Sequence, residues 1–228
     1  MSNRYKWILV STEMSLDEIS ETIHKHRFNE NISDKGYMIN HIDNSLVDAV
    51  FIERVIQHEK INRPDGTENE ITIERFIYTP FIIYMNADGQ LLIRFKNPPR
   101  TLNDFFSFWK KTFENNFFIE QLRIDILSLI ASLSKSSFRD VKIKKIKASG
   151  MIVNITSSAT IEVTSPLNAL DIFLKEFRLT KFKLEHAKIT SNFDGVQCSL
   201  DIKTTGLSSD NIEAVDFLED KIFRNRVL

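Results

Sequence analysis

One cysteine, Cys198, six glycines and five prolines are all that 228 residues hold of those three types. A lone cysteine excludes an intramolecular disulfide and suits a reducing compartment. The glycines form no phosphate-cradling loop, and no nucleophile elbow occurs, so nucleotide binding and acyl transfer lack their usual sequence basis. Long apolar runs are missing too. The longest, 76–85 and 124–133, are interrupted and fall well short of the ~20 residues that a membrane span needs. Charge of one sign is also missing. Thirty Lys and Arg against 31 Asp and Glu leave a net charge of −1, which argues against a uniformly basic nucleic-acid binder but leaves local patches open. No basic, apolar and small-residue series marks a signal peptide at the N-terminus, and a cytoplasmic location is expected.

Hydrophobic content of 42% and charged content of 27% are ordinary for a soluble globular protein, with enough length for one large or two small cores. Ile, Lys, Asn and Phe are abundant. That bias follows from an AT-rich coding sequence, which bacterial accessory genes often have and which any gene of an AT-rich genome shares. The strongest pattern is a recurrence. In 7–28, 91–113, 161–177 and 200–223 a strand-like run breaks at a short Ser/Thr/Asn/Pro turn and opens an amphipathic helix.

In more detail, 5–11 reads as a strand, and Ser15 with Glu18 three residues on predicts a capping box for a helix ending near Phe28. The runs 36–41, 47–61, 71–85 and 91–95, punctuated at 63–67 and 87–90, predict an antiparallel meander. Leu102, Phe105, Phe106, Trp109 and Phe113 follow a helical stripe, and 118–133 predicts a second helix. Strands at 141–147 and 152–163 would flank a turn at Ala148-Ser149-Gly150, followed by a helix over 167–177. A hairpin of 182–190 and 196–204 precedes a last helix capped by Ser209 or Asp210. The expected fold class is α+β: antiparallel sheets with helices on one face, in two lobes of strand–strand–helix units. The lobes would span 1–100 and 137–228, with a helical connector at 101–136.

Three constellations could carry function. Alternation over 139–147 places Val141 and Ile143 on one strand face and Lys142 and Lys144 on the other, and Lys145 and Lys147 of the same run are further basic candidates. Ammonium groups ~7 Å apart can track phosphates, and Lys96 and Arg100, with Arg94, Lys110 and Lys111, could extend the patch. The same alternation also fits a solvated sheet face or a lysine-guarded edge strand. Second, the aromatics of 105–118 exceed what one buried face needs. Most read as core, and Phe105, Phe106, Trp109 and Phe113 are the candidates for a dimer or partner interface. Third, Asp194, Asp201 and Lys203, with Glu185, imitate a metal-dependent nuclease pattern. Such short matches arise readily by chance in lysine-rich strands. The five histidines do not converge, and no metal site or cofactor is expected.

The order of elements resembles that of the RexA-type phage exclusion proteins. The residues that carry the resemblance are 81–85 with Gly89 and 91–95, then Asn97-Pro98-Pro99-Arg100-Thr101-Leu102-Asn103-Asp104-Phe105-Phe106. Asp140-Val141-Lys142-Ile143-Lys144, Ala159-Thr160-Ile161-Glu162-Val163 and Pro166-Leu167 leading into Asp171-Ile172-Phe173-Leu174-Lys175 complete it. The likeness spans most of the chain and lies in layout and apolar pattern, not in a diagnostic motif. It implies DNA binding without marked sequence preference, self-association and a role in antiviral defence by phage exclusion. Lys142, Lys144 and Lys145 would take the DNA-contact role by their basic character. The expectation is a non-enzymatic, oligomeric binder of duplex DNA, with a protein–protein subunit of a larger defence complex or a nuclease as alternatives.

Overall fold

Local signals set the first elements. Strand β1 (Asn3–Ser11) gives way to helix α1 (Leu16–Lys25) at Ser15, whose Oγ accepts from the Glu18 N–H while the Glu18 carboxylate reaches back to the Ser15 N–H at 2.8 Å. This is the predicted capping box, two otherwise orphaned donors satisfied reciprocally. The computed structural model describes residues 2–62, 64, 68–85, 90–114, 116–154, 157–177 and 181–224. The chain divides into a first unit, Ile8–Glu120, and a second, Met1–Trp7 with Gln121–Leu228. The predicted connector at 101–136 is thus shared between them. Both units mix helices with antiparallel strands.

In the first unit β2 (Lys35–Ile42), β3 (Leu46–Asn62), β4 (Glu68–Met85) and β5 (Leu91–Lys96) form the predicted meander, in the order β2-β3-β4-β5-β1. The turn residues Arg63, 65–67 and 87–89 lie outside the described residues. Helix α2 (Asn103–Thr112) drives Phe105 and Trp109 into an aromatic core with Tyr37, Phe51, Phe81 and Phe95. Strands β3 and β4 pair over their full lengths, whereas β2 reaches only Glu53 and β5 only Phe81. The distal half of the β3–β4 hairpin therefore has no neighbouring strand among the described residues.

Two expectations change here. The run 118–133 is not one helix: 118–121 forms β6 (Phe118–Gln121), which pairs with β1, and helix α3 (Ile126–Leu133) starts only at Asp125. The Asp125 carboxylate accepts from Leu127 and Ser128 N–H at 3.1 and 3.3 Å, and this cap fixes the helix start. Nor is Ala148-Ser149-Gly150 a turn. Strand β7 (Phe138–Asn154) runs through it, with Gly150 at φ 75° beside a register shift, so the glycine serves a bulge.

The second unit continues with β8 (Ser157–Thr164), α4 (Ala169–Glu176), β9 (Lys183–Phe193), β10 (Val196–Lys203), β11 (Gly206–Ser209) and α5 (Ile212–Arg224). Its antiparallel strand order is β1-β11-β10-β9-β7-β8. Asp194 and Gly195, both at positive φ, make the two-residue turn between β9 and β10. Asn211, not Ser209 or Asp210, caps α5: its Oδ1 accepts from Ala214 N–H at 3.0 Å, while Asp210 accepts from Ser199 N–H. Ile143, Ile146, Ala187, Ile189, Leu200, Ile202 and Leu207 share the buried face, on which α3, α4 and α5 pack. Trp7 Nε1 donates to the buried Glu219 carboxylate at 2.6 Å. Among the described residues no helix is long and apolar enough to cross a membrane.

Candidate nucleic-acid interface

Residues directly opposite on paired strands point to the same face, so register fixes which side chains share a surface. In β7 the expected row is broken by bulges. Ile143 pairs with Ile189 and Lys145 with Lys188, so Lys144 is an extra residue on β7. It leaves the lysine row, and its Nζ donates to the Pro166 carbonyl at 2.6 Å. Val141 likewise sits beside the shift between Arg139 and Lys142 and is only half-buried, while Ile143 is buried. Lys142, Lys145 and Lys147 remain on the solvent face.

The neighbouring strands extend that face. Across β7, β9 and β10, Lys147, His186 and Lys203 are consecutive cross-strand neighbours. Two residues along, Lys145, Lys188, Asp201, Ser208 and Arg4 follow one another through β11 to β1, and Lys6 lies two residues from Arg4. Adjacent strands stand ~4.8 Å apart and same-face residues ~7 Å apart along a strand, so the cations form a grid and not a line. Seven cationic side chains stand on it: Arg4, Lys6, Lys142, Lys145, Lys147, Lys188 and Lys203.

Three carboxylates temper the grid. Glu162 holds Lys145 at 2.6 Å, and the Lys145 ammonium keeps the Glu162 carboxyl below its ordinary pKa. Glu185 lies 3.8 Å from Lys147 and accepts from Ser149 Oγ at 2.6 Å. Asp201 is shared by His186 at 2.9 Å and Lys188 at 3.5 Å. Among the described residues Lys142 and Lys203 have no ion-pair partner. Exposed ion pairs are worth only ~0–1 kcal/mol each, so a polyanion can compete for the paired lysines at little cost.

The remaining candidates fall elsewhere. Lys96 and Arg100 are exposed but belong to the first unit, at the end of β5 and in the loop before α2. Lys110 and Lys111 lie in the last turn of α2. Phe105, Trp109 and Phe113 are interior residues of that unit, at most 2% exposed, and Phe106 packs against the same core. The proposed aromatic interface is core packing: Phe105 meets the rings of Phe81 and Phe95, Trp109 that of Tyr37, and Phe113 that of Phe117. The nuclease pattern does not assemble. Asp194 occupies the tight turn, and Asp201 lies seven residues further along, ~20 Å at strand rise. No group of three or more potential metal ligands occurs among the described residues.

Sequence reading missed Arg4, Lys6 and Lys188 and used Lys203 only for the nuclease pattern. Arg4-x-Lys6, His186-x-Lys188 and Asp201-x-Lys203 each show the same period-two signal as Lys145-x-Lys147. No family model matches the chain, and no curated protein matches it.

Proposed function

We propose that the second unit binds the phosphate backbone of duplex DNA, without strong sequence preference, through the solvent face of β1, β10, β9 and β7. The observation that carries this reading is the two-dimensional grid of cations, of which Lys142 and Lys203 have no carboxylate partner among the described residues. A flat grid suits phosphate contact, since backbone contacts position a protein on a duplex without reading bases. No base-reading helix is needed for such binding. The layout likeness to phage exclusion proteins supports a setting in bacterial anti-phage defence or a mobile element, with the chain acting as a binder and not as a catalyst.

The test is a gel-shift series on duplex DNA at rising salt, comparing wild type with a Lys142→Glu/Lys188→Glu/Lys203→Glu variant. Wild-type affinity should fall linearly in log–log form, with a slope of about −0.9 per phosphate contacted. The variant should bind at least ~100-fold more weakly at low salt and show a slope shallower by about 2 to 3. Lys96→Glu/Arg100→Glu, on the other unit, serves as the comparison. Absence of a wild-type shift at low salt refutes the proposal, and so does a triple variant that binds as wild type does.

A further inference from the structure

Between the start of α3 and the start of β9 the second unit holds a cavity of about 460 Å³. Small-molecule sites are typically roughly 300–1,000 Å³ and mostly apolar. Here the buried Ile124, Ile126 and Leu184 supply apolar lining, joined by the more exposed Leu127 and Phe182. Three local contacts hold the walls. The Ile124 N–H donates to the Thr204 carbonyl at 2.9 Å, the Asp125 cap sets the first turn of α3, and Phe182 meets the Phe173 ring of α4 edge-on at 5.0 Å. Walls fixed in this way keep their shape without an occupant, which lowers the ordering cost of binding.

Two cations complete the lining, Arg123 ahead of the helix and Lys183 at the head of β9. They come from distant parts of the chain, both are exposed, and neither has an ion-pair partner among the described residues. The one carboxylate of the lining, Asp125, is engaged by the helix: it accepts from the Leu127 and Ser128 N–H groups and from Ser128 Oγ at 2.6 Å. The cavity therefore combines apolar walls with positive charge that nothing nearby offsets. We propose that it binds a single-chain amphiphilic anion, an alkyl carboxylate whose tail fills the apolar part while its headgroup meets Arg123 and Lys183. A guanidinium presents its N–H groups in the fork that a carboxylate accepts. A neutral apolar occupant would leave both cations unused, and a cationic one would be repelled by them. The site shares no residue with the cationic grid, so it stands or falls independently of DNA binding.

The test titrates sodium decanoate into the full chain and follows backbone amide shifts by NMR. Binding should saturate, with half-saturation at or below ~2 mM, the affinity that an ordinary ligand of that size achieves. The largest shifts should fall on the amides of Leu127, Lys183 and Leu184. Acetate, which lacks the tail, and decyltrimethylammonium, which reverses the charge, should each bind at least ~10-fold more weakly. Arg123→Gln/Lys183→Gln alters two exposed side chains and should leave the fold intact. It should weaken decanoate at least ~10-fold and narrow the preference over decyltrimethylammonium, because hydrogen bonds to a charged group are the strong ones. Decanoate that fails to saturate by ~10 mM overturns the proposal, as do shifts confined to other parts of the chain. So does a double variant that binds decanoate as wild type does, or a wild type that takes decyltrimethylammonium equally well.

Discussion

Replacing Trp7 by Phe probes the buried anchor of the second unit. Trp7 is 1% exposed, and its indole N–H donates to the Glu219 carboxylate at 2.6 Å across 212 residues of chain. A hydrogen bond to a charged acceptor contributes roughly 1.5–3 kcal/mol. Trimming the indole to a phenyl ring adds about 1 kcal/mol of lost packing, a fraction of the 3–5 that complete truncation of such a ring costs. The sum, roughly 2.5–4 kcal/mol, is a large part of a typical domain stability of 5–15 kcal/mol. Urea unfolding followed by far-ultraviolet circular dichroism should show it as a lower midpoint at constant slope. A Trp7→Phe loss below about 1 kcal/mol would refute the anchor.

Two further outcomes follow from local geometry. A methyl group on Gly206 would lie 2.5 Å from the Tyr5 carbonyl oxygen, a backbone atom held by the β1–β11 pairing. Gly206→Ala should therefore cost about 1–3 kcal/mol in the same urea assay, and a change within ~0.5 would contradict the close approach. Asp43, in the loop between β2 and β3, accepts from Ser45 Oγ at 2.6 Å, Ser45 N–H at 2.7 Å and Leu46 N–H at 3.0 Å. These bonds, that of the Ser45 side chain first, pull its pKa from 3.8 down to about 2. Because the folded value is the lower one, the loop's contribution is complete above about pH 4 and fades as pH falls towards 2. A carboxyl titration by NMR should place the Asp43 midpoint near 2 and raise it in Ser45→Ala. A wild-type midpoint near 4 would refute the assignment.

The elements most legible in the sequence were those with a local cause. The Ser15 and Glu18 capping box, the alternation of β2 to β5 and the Asp194-Gly195 turn each follow from a few adjacent residues. The misread places have non-local causes. Residues 118–121 carry helix-compatible periodicity, yet pairing with β1 holds them extended. Gly150 has turn chemistry, but β8 and β9 pair on both sides of β7 and draw the strand through it. The aromatics of α2 looked surplus because their partners Tyr37, Phe51, Phe81 and Phe95 come from four separate strands.

The basic grid shows the same division at the level of function. Each strand contributes a period-two pair that is unremarkable alone, and in β7 the bulge at Lys144 removes one lysine from the row read along the chain. What gathers the cations is strand order: β1, β10, β9 and β7 come from opposite ends of the sequence yet align Arg4, Asp201, Lys188 and Lys145 in one cross-strand row. Asp201 within that row neutralises the charge most central to it, so the strongest field lies to either side, at Lys142 and Lys203. A polyanion bound there should be held by contacts at the margins of the face. Lys203→Gln should then weaken DNA binding more than Lys145→Gln, because Lys145 already shares its charge with Glu162.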